Sequence, residues 1–530
     1  MYQQQGLLEY PKNVITTMKK MYLWMLAAIL TCALTLASCV KEDNAAVPVV
    51  PGGELVQPEN DFETMVPALP GNPEVIAALQ KIPGVKDVKC FHNVHMGECY
   101  FFNFEQDIDH MNPALGKFKQ QVVLKYKGKD AHTVLLTEGY ALRGDPEEDK
   151  NRLDSILPPD IVTTYKTNCV AVEHRYHGWS LPQGYSNEFT FLNTWQQSSD
   201  LHCIVTALKA SGMFSGKWVS TGVSKSGETT AYYAYHYPNE MDAYVPYCGP
   251  YLTSLNDKRV GTQVLTAPDL KDELEKTKAA IRYAFSNKTL LNQLTAWYAT
   301  EKAKTVKGMT QAQIEAMFAV DILGNLFDKE AYVHVNLWRS WIPTETSSAE
   351  EFYKFFMADK STKYKNETKQ EIAARQALAK HELNVQTGFD FLGRRAAAPA
   401  KRLDPYVAQT CVDLGNFSWD YAWFEDLLTP QQLKELNAYE LNPKTFGVTY
   451  DNGKFINEFL EGMKTTPCKM LFVYGGSDPW TGGAIADDIV NANPNISKMI
   501  VQYGIHNDTT SYWTEANKKQ LSDFLDPFLK

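Results

Sequence analysis

The chain has 530 residues, 44% of them hydrophobic, so it can bury a large core and exceed one compact unit. Its formal net charge is −10, and no basic stretch is interleaved with aromatic residues. We therefore expect neither a nucleic-acid partner nor attraction to a membrane through basic patches.

The first 38 residues resemble a bacterial export signal. Met18-Lys19-Lys20 forms a basic start, residues 21–36 are apolar, and Leu36-Ala37-Ser38-Cys39 is similar to a lipobox. We expect Met18 to be the true start, residues 1–38 to be removed as a signal peptide, and the Cys39 thiol to be lipidated. Residues 39–60 would form a flexible tether. A plain secretory signal or an uncleaved anchor stays open, but each alternative predicts an exported protein.

The lipidated form would be attached to a membrane through its lipid alone, at the outer membrane or the cell surface.

Seven cysteines follow Cys39. Cys90 and Cys99 flank a predicted hairpin, which makes them the best candidates for a disulfide in an oxidising compartment. Structural zinc is not expected because the sequence has no C-x-x-C pair, and His92 and His95 would lie on opposite faces of a strand. We predict no metal and no cofactor.

Strand and helix patterns alternate between residues 61 and 251. A short helix and a hairpin come first, and the apolar runs at residues 133–137 and 168–172 suit central parallel strands. An amphipathic helix pattern covers residues 195–211, and another strand pattern covers residues 242–247. This alternation predicts a mostly parallel, doubly wound α/β sheet.

Residues 252–464 have long helical patterns instead. Thr310 with Gln313 three residues later predicts a capping box at the start of one helix. Strand patterns then return between residues 465 and 530, before a closing helix. We therefore predict one α/β domain in two parts, residues 61–251 and 465–530, with a helical domain inserted between them.

Residues 219–228 read Val-Ser-Thr-Gly-Val-Ser-Lys-Ser-Gly-Glu, a strand that breaks into a sharp turn and then a helix. This resembles the nucleophile elbow of α/β-hydrolases, whose strained turn exposes a serine hydroxyl to a histidine. Ser226 stands two residues after the serine, where small residues allow the turn. A serine-rich turn without chemistry is the alternative. We predict Ser224 to be the nucleophile.

Two loops after the last strand patterns supply an acid and a base. Asp478 lies in Gly-Gly-Ser-Asp-Pro, and His506 lies 28 residues further on. The chain order Ser224, Asp478, His506 is that of α/β-hydrolases. His506 would accept the serine proton, and Asp478 would hold the imidazole tautomer. Taken singly, each could be an ordinary loop residue, and Asp508 is the alternative acid.

The oxyanion hole is predicted from topology. The residue after the nucleophile starts a helix, so the backbone N–H of Lys225 is the expected first donor. The second should come from the loop after residues 133–137, near Gly139 or Tyr140. Glu138 in that loop either binds a substrate amine or ends the strand.

Four segments together resemble a known family: residues 220–227, residues 173–182, residues 137–140, and the loops of Asp478 and His506. They are similar to the secreted bacterial tripeptidyl aminopeptidases, serine peptidases related to the lysosomal Pro-X carboxypeptidase and dipeptidyl peptidase group. The resemblance covers nearly the whole mature chain. It implies an α/β-hydrolase fold capped by the helical insertion, and release of short N-terminal peptides, often after proline. The family usually has glycine at the position of Ser226.

We therefore predict an extracytoplasmic serine exopeptidase that acts on peptides through an acyl-enzyme at Ser224. Such an enzyme needs a carboxylate to capture the free amine, and Glu138 and Glu173 are the candidates. His174 and Arg175 either border the site or form a buried structural pair. A carboxylesterase or lipase with the same triad stays open, as does an inactive surface lipoprotein that binds peptides or glycans.

Overall fold

The computed structural model describes residues 68–142, 159–182, 188–364, 367–369, 404–422, 425–436 and 441–530. All of them belong to one compact unit, Glu54–Lys530. The predicted signal peptide, Cys39 and the tether lie outside the described residues.

A nine-stranded sheet runs through the described part of the chain. Its strands are β1 (Val85–Asn93), β2 (Gly97–Asp107), β3 (Lys117–Lys125), β4 (Thr133–Thr137), β5 (Asn168–Val172), β6 (Trp218–Val223), β7 (Ala243–Tyr247), β8 (Met470–Gly475) and β9 (Ile496–Val501). Their order is β1-β2-β3-β5-β4-β6-β7-β8-β9. The first three strands and the β3–β5 pair are antiparallel, and the remaining pairs are parallel. The predicted α/β-hydrolase fold is confirmed, and its parallel strands end at one edge of the sheet.

The helices of the described residues are α1 (Pro73–Gln80), α2 (Asp160–Tyr165), α3 (Thr194–Ala210), α4 (Lys225–His236), α5 (Lys258–Gln263), α6 (Lys271–Ser286), α7 (Lys288–Glu301), α8 (Gln311–Tyr332), α9 (Val335–Trp338), α10 (Ala349–Met357), α11 (Pro405–Gln409), α12 (Pro430–Leu436), α13 (Lys454–Met463), α14 (Asp487–Ala492) and α15 (Glu515–Leu529). Within the described ranges, no helix has both the length and the apolar character that a membrane crossing requires.

Helices cover both faces of the sheet. Leu201 of α3, Tyr232 of α4 and Phe459 of α13 share one apolar core with side chains of the strands. Ile161 of α2 and Leu525 of α15 belong to the core on the opposite face. The alternating apolar runs therefore fold as a doubly wound sheet, because the central strands β4 to β8 are buried on both sides.

The segment between β7 and β8 has a core of its own. Helices α5 to α10 contribute most of it, and α8 starts with the capping box predicted at Thr310 and Gln313. The last helix of the predicted insertion differs, because Ile456 and Met463 of α13 pack into the core of the sheet. The α/β body thus resumes before residue 464.

The predicted disulfide between Cys90 and Cys99 is wrong. Both cysteines are free thiols. In the β1–β2 register Cys90 faces Tyr100 and Phe91 faces Cys99, so the two cysteines belong to adjacent residue pairs and not to the same pair. Side chains alternate between the faces of a sheet, and Cys90 and Cys99 accordingly lie in the cores on opposite faces.

Candidate active site

Ser224 occupies the turn between β6 and α4. Its backbone has φ 61° and ψ −128°, a strained conformation for a residue other than glycine. Small neighbours make the turn possible: a Cβ atom on Gly222 would lie 2.5 Å from the carbonyl oxygen of Ser226, and one on Gly227 would overlap the carbonyl oxygen of Tyr247. The amide of Ser224 donates to that same Tyr247 oxygen at 2.9 Å. The turn therefore has the strand-turn-helix geometry that a nucleophile elbow requires.

Ser226, which stands where a glycine was expected, ties the elbow to the loop after β4. Its Oγ accepts a hydrogen bond of 2.8 Å from the amide of Gly139. It also donates to Glu138 Oε1 at 3.4 Å. The side chain of the serine at this position thus links the two loops directly.

His506 and Asp478 lie side by side after β9 and β8. His506 Nδ1 is 2.7 Å from Asp478 Oδ2, and both residues are buried. The amide of Trp480 donates to the other carboxylate oxygen of Asp478 at 3.1 Å, which fixes the plane of the acid. Asp508 instead accepts from the amide of Ile505 at 3.0 Å, so Asp478 is the residue that orients the imidazole.

The backbone at the start of α4 and the loop after β4 are in direct contact. A Cβ atom on Gly139 would lie 2.7 Å from the nitrogen of Ser226, so only glycine fits there. The Gly139 amide is already bonded to Ser226 Oγ. Among the described residues, the amides of Lys225 and Tyr140 donate no hydrogen bond. Of the two predicted candidates for the second oxyanion donor, the structure therefore favours Tyr140 over Gly139.

Comparison with family models decides the family. Residues 70–377, more than half of the chain, match the model described as PS-10 peptidase S37. The chain belongs to the S37 peptidase family. It is a serine peptidase, as the sequence predicted, and the match includes Ser224. Asp478 and His506 lie beyond the matched residues, so their assignment rests on the geometry above.

This S37 peptidase is also similar to individual proteins. It is 26% identical over 405 residues to the prolyl tri/tetrapeptidyl aminopeptidase of Streptomyces mobaraensis, which covers 76% of this chain and 74% of that protein. Among solved structures, the proline iminopeptidase of Mycobacterium smegmatis has a TM-score of 0.35 and 12% identity, covering 78% of this chain and 96% of that one. An E-2-(acetamidomethylene)succinate hydrolase has a TM-score of 0.29 and 11% identity, covering 80% of this chain and 99% of that one.

The two candidate amine-binding carboxylates of the peptidase have different surroundings. Glu173 is fully buried, and its oxygens accept hydrogen bonds from the amides of Leu142 and Trp179, both at 2.9 Å, and from Ser180 Oγ at 2.7 Å. These bonds make Glu173 a structural residue that holds two loops together, and its prediction as an amine ligand is withdrawn. Glu138 is the candidate that remains.

Arg175 forms a buried structural pair, but with Asp200 rather than with His174. Its Nε and Nη2 atoms donate to the two oxygens of Asp200 at 2.8 Å and 2.7 Å, and both side chains are fully buried. Burial also keeps the pKa of His174 well below its usual value, so this imidazole is neutral. Arg175 is therefore a structural residue, whereas His174 lines a small cavity beside Lys225.

Sequence analysis missed Cys248, which directly follows β7. Its thiol is hydrogen-bonded to the carboxylate of Asp478, and burial raises the pKa of the thiol well above its usual value. A cysteine has no motif of its own at the end of a strand. The only signal in the sequence was its position directly after a strand, like the loops of Asp478 and His506, whose strands are its neighbours in the sheet.

Proposed function

We propose that this S37 peptidase is an aminopeptidase that releases short peptides, three or four residues long, from the N-termini of oligopeptides. The observation that carries the proposal is the contact of 2.7 Å between His506 Nδ1 and Asp478 Oδ2. These two residues follow the Ser224 elbow in the chain order of α/β-hydrolases. The name of the Streptomyces mobaraensis relative supports the length of the released peptide and a preference for proline before the cleaved bond.

Acylation would begin at Ser224. His506 Nε2 accepts the hydroxyl proton while Oγ attacks the scissile carbonyl carbon, and Asp478 stabilises the imidazolium that forms. The carbonyl oxygen becomes an oxyanion, to which the amides of Lys225 and Tyr140 donate. The C–N bond then breaks, His506 protonates the leaving amine, and a water molecule later hydrolyses the ester on Ser224.

Glu138 is the residue that we expect to bind the substrate's free amine. It precedes Gly139, whose backbone packs against the start of α4. Glu138 Oε1 accepts a hydrogen bond of 3.1 Å from the Gly139 amide, while no described residue donates to Oε2. A carboxylate held in this way can form a charge-assisted hydrogen bond with an ammonium group.

The helical insertion supports the catalytic loop directly. The amide of His506 donates to the carbonyl oxygen of Ala331 at 2.7 Å, and the ring of Tyr332 meets the imidazole edge-on, with centroids 5.6 Å apart. Both contacts come from the end of α8. The insertion would therefore border the cleft and restrict it to chain ends, since helices above a site exclude folded proteins.

A panel of peptides tests this function. Tripeptides and tetrapeptides that end in proline and carry a fluorogenic amide are assayed with free and with acetylated N-termini. We expect acetylation to lower kcat/KM by at least about tenfold, since a hydrogen bond to a charged group contributes about 1.5–3 kcal/mol. Ser224→Ala should abolish turnover. Equal cleavage of acetylated peptides would contradict the proposal, and turnover of esters without peptides would indicate a carboxylesterase.

Glu138→Gln tests the amine site on its own. It should raise KM for free peptides and leave the acetylated ones unchanged. Glu105→Gln is a matched control, because Glu105 forms an exposed ion pair with Lys86 on β1. An equal loss for free and acetylated peptides would mean that Glu138 only shapes the loop.

We also propose that the enzyme is exported and held at a membrane by a lipid on Cys39. The basic start, the apolar run and the lipobox-like residues support this proposal. Expression of the full chain in a bacterial host, followed by membrane fractionation, tests it. Cys39→Ala should move the protein out of the membrane fraction, whereas continued membrane association of this variant would contradict lipid anchoring.

A further inference from the structure

We propose that Cys248, Asp478 and His506 form a binding site for a thiophilic divalent cation such as Zn²⁺, and that the bound ion switches the peptidase off. Each side chain offers one ligand atom, and these atoms all lie within 4.8 Å of one another. A thiolate sulfur, an imidazole nitrogen and a carboxylate oxygen are the ligands that zinc takes in proteins. The site would regulate the enzyme and is no part of its catalytic cycle.

Three adjacent strands bring the ligands together. β7, β8 and β9 run parallel, and Cys248, Asp478 and His506 lie in the segments after their carboxyl ends. Cys248 has φ 48°, and its amide donates to the carbonyl oxygen of Val473 at 2.7 Å. A non-glycine residue keeps a positive φ only where its surroundings impose it. The backbone thus directs the thiol towards Asp478 rather than into a neighbouring core.

Burial and charge favour a cation at this point. Cys248 and His506 are each 4% exposed, and Asp478 is fully buried. A further carboxyl group, Glu330 on α8, is fully buried near Asp478, and burial raises the pKa of this carboxyl well above its usual range. Neither oxygen of Glu330 has a hydrogen-bond partner among the described residues. Buried acids without partners are stabilised by a positive ion.

Metal binding would be a ligand exchange without any redox step. The S–H bond of Cys248 breaks, its proton passes to solvent, and the sulfur electron pair forms the S–Zn bond. One nitrogen of His506 gives its lone pair to the ion, and the other nitrogen of the neutral ring carries the proton. The imidazole then has no free lone pair to accept the Ser224 proton, so acylation stops.

Equilibrium dialysis of the full chain against Zn²⁺, with metal analysis, is the first test. We expect one ion per chain in the wild type, reversible by EDTA. Cys248→Ser keeps a hydroxyl donor for Asp478 but removes the sulfur ligand. Its zinc affinity should fall by at least the roughly 10- to 100-fold that loss of an outer-shell partner costs. Cys203→Ser, at a partly exposed thiol on α3, is the control and should bind zinc like the wild type.

Spectroscopy with Co²⁺ provides a second readout, which reports the thiolate ligand directly. A thiolate-to-cobalt charge-transfer band in the near ultraviolet is expected for the wild type, and it should be absent from Cys248→Ser. Wild-type protein without such a band, or zinc binding that Cys203→Ser removes and Cys248→Ser does not, would overturn the proposal.

Inhibition by zinc rests on the proposed function, because it requires His506 to be the base. Binding of zinc does not, so the two can fail separately. Stoichiometric zinc with unchanged peptide turnover would leave the metal site in place and contradict the switch. Failure of a peptide-cleaving enzyme to bind added zinc would contradict the site and leave the peptidase intact.

Discussion

The Nζ group of Lys225 donates a hydrogen bond of 2.6 Å to the carbonyl oxygen of Gly139. The same group lies 5.4 Å from the centre of the Tyr140 ring, and the Lys225 side chain is buried. Lys225 therefore does two things: its amide is the expected first oxyanion donor, and its side chain fixes the loop that carries the second.

Lys225→Met should slow the chemical step. The substitution keeps the amide and most of the side-chain volume but frees the loop of Gly139. We expect kcat to fall by about 10- to 100-fold, less than the roughly 10²- to 10³-fold cost of deleting one oxyanion donor. Steady-state kinetics check this. Lys209→Met on α3 removes a comparable bond to the backbone carbonyl of Glu240 and should leave kcat unchanged. Wild-type kcat in Lys225→Met would contradict this role.

Asp413 should make stability depend on pH. It is buried at the start of α3, where burial raises the pKa of its carboxyl from 3.8 to about 7, although Thr194 donates to it at 2.7 Å and 2.9 Å. Between these values the folded chain holds a proton that the unfolded chain has lost, so stability falls as the pH rises. Above about pH 7 the loss is complete.

Asp413→Asn removes this titration. From pH 5 to pH 7, the free energy of unfolding in urea should fall further in the wild type than in the variant, by about 1–2.5 kcal/mol. Asp523→Asn, on the exposed face of α15, is the control. The same difference between the two pH values in Asp413→Asn and wild type would show that Asp413 is ionised throughout.

Gly227→Ala should damage the elbow. The added methyl group would overlap the carbonyl oxygen of Tyr247, a backbone atom that also accepts the Ser224 amide. We expect a loss of about 1–3 kcal/mol in the free energy of unfolding, as for overpacking. Gly324→Ala in α8 has open space around its Cβ and should be neutral or stabilising by up to about 1 kcal/mol. Thermal unfolding compares the two, and equal effects would contradict the packing argument.

The cysteines after Cys39 should all be reduced. Alkylation of the protein in denaturant without reductant, followed by peptide mass spectrometry, should label Cys90 and Cys99 completely. The β1–β2 register separates them by one residue pair, which no small backbone shift corrects. Recovery of a Cys90–Cys99 linked peptide would show that the register is different.

Much of the fold and the site follows from the sequence because local patterns decide it. The elbow needs glycine at residues 222 and 227, and both glycines can be read directly from the sequence. The order of Ser224, Asp478 and His506 is likewise a property of the chain. The capping box at Thr310 depends on two side chains three residues apart, and it formed as predicted.

The errors come from properties that the sequence does not contain. A hairpin pattern shows two strands but not their register, and a shift of one residue moves Cys99 to the other face of the sheet. Helix α13 is amphipathic like the helices of the insertion, so its packing on the sheet was not apparent. Glu173 accepts a hydrogen bond from Leu142, which is distant in the sequence. Cys248 meets Asp478 because their strands are neighbours in the sheet.

The most direct test of the central claim is labelling with a peptidyl phosphonate ester that has proline before the phosphorus and a free amine three residues from it. Mass spectrometry then locates the adduct. We predict one adduct per chain, on Ser224, formed at least about tenfold faster than with the acetylated probe. An adduct on another residue, or equal rates for the free and the acetylated probe, would contradict an aminopeptidase that acts through Ser224.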